Sequence, residues 1–489
     1  MTYRIIKALP SFFIFILLLT VPSGATAGDG VFTFWPLVDY RYSSQDNFYS
    51  WKFLGPFFKY EKNGSLRQRA FRPFYYRTDH LDTGSFQREI LFPVSTKRTT
   101  ASDESFHVLN LWNRYKLFNE GKPDEVNYHT FSIFPLIFFG QTREDERYFA
   151  FFPFGGTIKN RFQRDEINFF LFPLYGKTER NGTTTRNILW PIYAAIEGDN
   201  ESGTKIWPLW GASEKKGVYK KRFFLWPLFF RYDLNLDSEA PEKVRAFLPF
   251  YVRSTSTNHS STHILWPFFS HIQDREKGYE EWNYPWPLFR KTEGQHKQST
   301  KYLPFYADER VGEFNKRWFL WPLYKVEEVE APDYSLHRDR VLFFLYSNFE
   351  ENHLSQPEKN KKRIAFWPFF TYEKKHAITD FFFLSLAEPF FPENEAIGRI
   401  WGPLWRIYQH RYDGNRDIEV SSFLWNLYWK ERHGTDLAWE LFPLFNYRNE
   451  QGHKKMKLLK GLFSYSSEAR EKSLGFLYLP WKLSWKKNL

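Results

Sequence analysis

One short phrase recurs from one end of the chain to the other and limits what the chain can fold into. A proline follows an aromatic residue or a leucine and precedes further apolar residues, as in Trp35-Pro36-Leu37. Self-similarity at a fixed period is the sequence signature of a repeat architecture. The residues that define the repeat most clearly are Pro36, Pro173, Pro191, Trp207, Pro208, Trp226, Pro227, Trp266, Pro267, Trp286, Pro287, Trp321, Pro322, Trp367 and Pro368.

The spacing of the phrase sets the number of units. Successive central prolines mostly lie about 17 to 22 residues apart. Five gaps are about twice as long, and each contains an aromatic stretch without the proline, such as the one around Trp112. With these stretches included, the chain divides into roughly 24 units of about 19 residues.

Each unit joins an aromatic stretch to a polar connector such as residues 254–261. Phe, Tyr, Trp, Leu and Ile in the stretches favour strands, and the connectors are rich in turn-forming residues. Proline in most units opposes helix, because an interior proline costs a helix about 3 kcal/mol. The sequence therefore predicts an all-β fold.

The steps between prolines indicate how the strands run. From Pro36 the first four steps are about 20, 17, 20 and 17 residues. Alternating connector lengths fit an antiparallel meander, whose connectors lie alternately at the two ends of the sheet, whereas a parallel solenoid gives no reason for them. We therefore expect about 24 antiparallel strands, one per unit, in a large closed β-barrel. Residues 262–272 and 317–327 serve as sample strands, and their centres are apolar on both faces.

The first 27 residues have the pattern of a secretory signal peptide. Arg4 and Lys7 precede an apolar run over residues 12–21, and Ala25-Thr26-Ala27 is a cleavage site of small residues. We expect residues 28–489 to form a single aromatic-proline β-repeat domain.

Composition excludes several classes of protein. Aromatic residues make up 21% of the chain, which argues against disorder. The formal charge is +12, and its basic residues are spread through the repeats. The runs Lys220-Lys221-Arg222 and Lys361-Lys362-Arg363 are interpreted as solvated charges at turns or strand ends, rather than as a dedicated binding patch.

The chain offers no recognisable catalytic chemistry. It has no cysteine, which excludes disulfides and thiolate sites. It also lacks the phosphate-cradling, dinucleotide-binding and zinc-helix motifs. His263 and His271, eight residues apart in one expected strand, are interpreted as independent side chains. We expect no enzymatic activity, no cofactor and no metal.

Antiparallel strands at this spacing behind a secretory signal resemble the bacterial outer-membrane β-barrel class over the whole mature chain. The resemblance implies location in the cell outer membrane and contact with its lipid or lipopolysaccharide. It also implies a role as a pore, an export conduit or a structural envelope component. The C-terminus departs from the class, whose last strand usually ends in an aromatic residue, because Trp485 is followed by residues 486–489.

Proline supports a second interpretation. A mid-strand proline has no N–H and leaves a carbonyl without its ladder partner, which costs several kcal/mol in hydrocarbon. If proline instead marks a corner, each unit is two short strands, as in a soluble β-solenoid or a stacked β-sheet repeat. Such a protein would lie in the periplasm or on the cell surface and bind a polysaccharide or an envelope partner. Nucleic acid is not expected as a partner in either case.

Overall fold

The computed structural model describes residues 30–44, 47–119, 122–392, 394–468, 471–478 and 481–486. The expected signal peptide, residues 1–27, lies outside the described residues. The described chain forms 46 strands, most of them six residues long, with two short α-helices.

The first half of the chain contains strands β1 to β23. Their bounds are β1 Gly30–Phe34, β2 Val38–Ser43, β3 Phe48–Phe53, β4 Phe58–Asn63, β5 Leu66–Phe71, β6 Tyr75–His80, β7 Ser85–Ile90, β8 Ser95–Thr99, β9 Asp103–Val108, β10 Trp112–Asn119, β11 Lys122–Ile133, β12 Ile137–Gln141, β13 Arg147–Phe151, β14 Gly155–Arg161, β15 Arg164–Phe170, β16 Tyr175–Arg180, β17 Thr183–Ile188, β18 Tyr193–Glu197, β19 Glu201–Ile206, β20 Trp210–Lys215, β21 Tyr219–Phe224, β22 Phe229–Leu234 and β23 Glu242–Phe247.

The second half contains strands β24 to β46 and the two helices, α1 Glu395–Ile400 and α2 Gly402–Trp405. The strand bounds are β24 Tyr251–Thr255, β25 His259–Ile264, β26 Phe269–Asp274, β27 Tyr279–Asn283, β28 Phe289–Gly294, β29 Lys297–Tyr302, β30 Tyr306–Val311, β31 Phe314–Phe319, β32 Tyr324–Ala331, β33 Tyr334–Val341, β34 Tyr346–His353, β35 Lys361–Phe366, β36 Phe370–Lys375, β37 Ile378–Phe383, β38 Tyr408–Asp413, β39 Ile418–Phe423, β40 Tyr428–His433, β41 Asp436–Leu441, β42 Phe445–Glu450, β43 His453–Leu458, β44 Phe463–Glu468, β45 Glu471–Phe476 and β46 Lys482–Lys486.

All strands belong to one antiparallel meander. Each strand pairs with its neighbours in sequence, from Gly30 opposite Tyr42 in β1–β2 to Glu471 opposite Lys486 in β45–β46. Within the described residues, β1 and β46 each pair on one side only, so hydrogen bonds do not close the sheet. The predicted all-β antiparallel meander is confirmed, and the predicted closed barrel is not formed by this ladder.

The prediction of about 24 strands, one per unit, is wrong, because each unit supplies a strand on either side of the proline. Residues 262–272 belong to two strands, β25 and β26, in which Ile264 pairs with Phe269. The proline loop at residues 265–268 joins them, so the apolar centre of the sample strand is a loop. His263 and His271 consequently lie on different strands.

The alternating steps have a different cause from the one expected. Both steps cross two strands, so successive prolines lie at the same edge of the sheet. Strand β2 ends at Ser43 and β3 begins four residues of connector later at Phe48, whereas only residues 64–65 separate β4 from β5. The alternation therefore records turn lengths at the opposite edge.

Small side chains mark one face of the sheet as the crowded one. Buried serines lie on it, among them Ser213, Ser254, Ser261, Ser270 and Ser299. A Cβ added at Gly211 would lie 2.2 Å from the Phe223 ring, and one at Gly203 would lie 2.6 Å from Ser213 Cβ. We call this crowded face the inner face. The outer face has long side chains such as Arg253 and Phe229, which are exposed.

The first two strands pack against β40, β42 and the loop before β40 through inner-face and loop side chains. Asn426 Nδ2 donates to Asp39 Oδ2 at 2.9 Å, and Arg41 forms an ion pair with Glu431. Arg448 donates to the carbonyl of Val31 at 3.0 Å. These contacts bring β1 and β2 against β40 and β42 without a shared ladder.

A helical insertion packs on the inner face near the same junction. It lies between β37 and β38 and contains α1 and α2. Ile400 is buried with Ala70 and Tyr76 in one core cluster. A second cluster, formed by Phe138, Ala150, Ile158 and Phe169, lies where β12 to β15 meet.

Gly156 of β14 allows a close approach to β13 in this second cluster. Its φ is +131°, and an added Cβ would lie 2.3 Å from the Phe149 carbonyl oxygen. We expect Gly156→Ala to destabilise the fold by about 3 kcal/mol, from strain and a backbone clash. Gly64→Ala is the control, because Gly64 has φ +56° but open space around it, and it should cost about 1 kcal/mol. Equal losses in urea unfolding would contradict this account of Gly156.

Candidate functional site

The proline phrase forms a tight loop between an odd-numbered strand and the next one. In the loop between β21 and β22, Leu228 N donates to Leu225 O at 2.7 Å, and the Trp226-Pro227 peptide is cis. A cis-proline in the third position of a β-turn defines a type VI turn. Leu225 adopts φ +45°, which turns the chain back on itself.

Neighbouring loops continue the ladder of the sheet. Leu225 N donates to Leu209 O and Trp226 N to Pro208 O, both at 2.7 Å. Leu265 and Trp266 bond in the same way to Phe250 and Pro249 of the loop before them. The proline carbonyl accepts a hydrogen bond from the next loop. No hydrogen bond of the ladder requires an N–H at the proline position. The objection that proline would interrupt a strand therefore does not arise.

All fifteen repeat-defining residues lie in these loops at one edge of the sheet, because every such loop leads from an odd-numbered strand to an even-numbered one. They are Pro36, Pro173, Pro191, Trp207, Pro208, Trp226, Pro227, Trp266, Pro267, Trp286, Pro287, Trp321, Pro322, Trp367 and Pro368. The phrase at Pro403 differs, since it lies in helix α2.

The loops present a row of exposed apolar side chains. Between β1 and β42, sixteen of the residues that follow a phrase proline are exposed, from 40% for Leu228 to 67% for Phe305. We call these sixteen the apolar rim: Leu37, Phe57, Phe74, Leu136, Phe154, Leu174, Ile192, Leu209, Leu228, Phe250, Phe268, Leu288, Phe305, Leu323, Phe369 and Leu444. Sequence reasoning placed these residues in strand centres and did not identify them as a surface.

A second apolar row borders the rim on the outer face. Phe224 lies opposite Phe229, Phe229 opposite Phe247, and Phe247 opposite Tyr251. The rings of Phe229 and Phe247 stack at 4.6 Å. All four side chains are exposed, so the apolar surface extends from the loops onto the strands.

The opposite edge of the sheet is polar. Its turns include two-residue hairpins with glycine at positive φ, such as Gly64, Gly182 and Gly434. The sequences Asn63-Gly64-Ser65 and Asn181-Gly182-Thr183 include two of these turns. The sheet is therefore amphipathic from edge to edge.

Charged side chains are concentrated on the inner face near the junction of the two chain ends. Burial would raise the pKa of Asp39, but Arg41 and Lys52 together hold it below its usual value. Burial lowers the pKa of Lys59 to about 8, although Glu61 lies 3.0 Å away and opposes the shift. Burial raises the pKa of Glu89 despite its ion pair with Arg399. This network joins the helical insertion to the sheet.

Lys59 gives the network a measurable pH dependence. Its pKa falls from 10.5 in the unfolded chain to about 8 in the fold, so the folded state binds fewer protons between these values. Its contribution to stability is therefore complete above about pH 10.5 and is lost as pH falls through 8. We expect the stability of the wild type relative to Lys59→Gln to rise between pH 8 and 10 in urea unfolding. Parallel curves would contradict the assignment.

The structure also bears on other kinds of site. Within the described ranges, no group of three or more His, Asp or Glu side chains is placed to hold a metal ion. No helix in the described part of the chain is both long and apolar enough to cross a membrane. Comparison of the chain with protein-family models and with curated proteins gives no match.

Proposed function

We propose that the protein is a non-enzymatic component of the bacterial outer envelope that inserts its apolar rim into the hydrocarbon of one membrane leaflet. The observation that carries this proposal is the row of sixteen exposed apolar side chains along a single edge. Exposed apolar surface on this scale marks a site of interaction with a membrane or a protein. The amphipathy from edge to edge favours a membrane, because a leaflet offers hydrocarbon beneath a polar layer.

Strand length favours insertion over crossing. A strand of six residues rises about 20 Å, whereas the hydrocarbon layer is about 30 Å thick and needs strands of about 9–11 residues. Most strands here have five to eight residues, and the turns at their far ends are mostly polar. The rim can thus enter one leaflet while the polar edge remains in water.

Of the roles that the outer-membrane resemblance implies, we propose the structural envelope component and not the pore. A pore needs a closed wall, and β1 packs near β42 through side chains instead of pairing with β46. The outer membrane as the location depends on the secretory signal expected in residues 1–27.

Vesicle flotation tests the proposal. The mature chain, residues 28–489, should float with phospholipid vesicles on a density gradient and leave them only when detergent is added. Recovery of the protein at the bottom of the gradient with every vesicle composition would reject membrane insertion and favour the soluble alternative.

A further inference from the structure

Four arginines form a ladder on the outer face of β21 to β24. Arg222 lies directly opposite Arg231, Arg231 opposite Arg245, and Arg245 opposite Arg253. All four side chains are exposed. Directly opposed residues on antiparallel strands have Cβ atoms about 5 Å apart, and like charges there are destabilising. The ladder therefore needs an anion to offset its repulsion.

The protein supplies little of that negative charge. Among the described residues, Arg231 alone of the four has a carboxylate within ion-pair distance, that of Asp233 at 3.8 Å. On the strand before the ladder, Glu214 forms its ion pair with Lys220 at 2.9 Å and not with an arginine.

Other arginines also lie two residues from the rim end of their strands, and carboxylates of the sheet neutralise them. Arg69 and Arg77 are also directly opposed, but both donate to the carboxylate of Asp79, at 2.8 and 2.7 Å. Farther along, Arg317 pairs with Glu328 at 2.7 Å. The sheet can therefore place a carboxylate beside an arginine that lies two residues from the rim end of its strand. Within the described chain, it places none beside Arg222, Arg245 and Arg253.

The position of the ladder indicates the kind of anion. Each arginine is two residues along its strand from the exposed aromatic row, as Arg245 is from Phe247, which is a rise of about 7 Å. A leaflet that receives the rim would place its phosphates above its hydrocarbon, at the level of the guanidinium groups. Guanidinium binds phosphate through two parallel N–H···O bonds, which makes arginine well suited to this layer.

We propose that the arginine ladder binds the phosphate groups of anionic lipids in the leaflet that receives the rim. This inference rests on the proposed membrane insertion and adds a lipid preference to it. The ladder would fix both the depth of insertion and the part of the sheet that contacts the headgroups.

The test compares two vesicle types, phosphatidylcholine alone and phosphatidylcholine mixed with phosphatidylglycerol. The wild type should bind the mixed vesicles more tightly, by a margin that shrinks as salt rises. Arg245→Gln combined with Arg253→Gln should weaken binding to mixed vesicles about 25-fold, at about fivefold per arginine. The same variant should bind phosphatidylcholine as the wild type does, and its melting temperature without lipid should not fall.

Arg275→Gln combined with Lys277→Gln is the matched control. It removes the same charge from exposed residues of the polar edge, about 20 Å from the rim and beyond the screening length of about 10 Å at 0.1 M salt. It should bind mixed vesicles within about twofold of the wild type. Equal losses in the two double variants would overturn the ladder as a site, since net charge alone would then explain them.

The remaining outcomes separate this inference from the proposed function. Equal binding of the wild type to both vesicle types would overturn the ladder and leave membrane insertion standing. Failure to bind either type would overturn both. Displacement from mixed vesicles by inorganic phosphate at matched ionic strength would assign the ladder to free phosphate and overturn the lipid assignment.

Discussion

Changing Phe250, Phe268 and Phe305 to serine together should weaken binding to phospholipid vesicles at least about 100-fold. The three side chains are 54%, 50% and 67% exposed in the fold, so lipid would bury surface that is now in water. At about 25 cal/mol per Å², half of a phenylalanine side chain contributes about 1–2 kcal/mol, and three contribute at least about 3 kcal/mol. Flotation across a range of lipid concentrations measures the change.

The opposite edge offers a matched control for the rim variant. Leu81 and Leu354 are 45% and 73% exposed, and both lie in turns of the polar edge. Leu81→Ser combined with Leu354→Ser should leave vesicle binding unchanged. If the control loses as much binding as the rim variant, general surface hydrophobicity explains the association and the rim has no special part in it.

Trp429→Ala should destabilise the fold by about 3–5 kcal/mol, the usual cost of removing a buried tryptophan. Its side chain is completely buried, and the guanidinium of Arg41 lies 5.3 Å from its ring centre. Among the described residues, β1 pairs only with β2, so much of its support comes from this junction with β40 and β42. Besides a lower urea midpoint, we expect faster hydrogen exchange in β1 and β2.

Trp190→Ala is the control, because it removes a tryptophan side chain that is not buried at the junction. Trp190 lies in a proline loop and is 54% exposed, so its removal should cost less than about 1 kcal/mol. A similar cost for both tryptophans, or unchanged exchange in β1 and β2 of the Trp429 variant, would contradict the role given to the junction.

The sequence was sufficient to predict the fold class but not the strand count. Strand-forming aromatics, turn residues and the regular period correctly predict an antiparallel β-repeat. The number was wrong because phrases such as Leu265-Trp266-Pro267-Phe268 have the composition of a buried strand and the geometry of a turn. Proline at the third position of each phrase was the available signal, because a type VI turn accepts it and a central strand does not.

The candidate site was less predictable than the fold. Exposure of Phe250 or Phe268 cannot be inferred from composition, since the same residues would suit a core. The run Lys220-Lys221-Arg222 was interpreted as charge at a turn or strand end, and all three residues lie within β21 rather than in a turn. The alignment of Arg222 with Arg231, Arg245 and Arg253 depends on turn lengths that differ along the sheet. Only the pairing register brings these arginines together.

The most direct test of edge insertion uses single cysteines, for which the cysteine-free chain has no background. Environment-sensitive fluorophores would be attached at Phe268→Cys in the rim and at Lys277→Cys in the polar edge, and the protein added to sealed vesicles. The rim label should be quenched by brominated lipid chains and protected from external iodide, while the polar-edge label should remain open to iodide. Iodide quenching of the rim label in bound protein, or protection of the polar-edge label inside the vesicles, would contradict insertion into one leaflet.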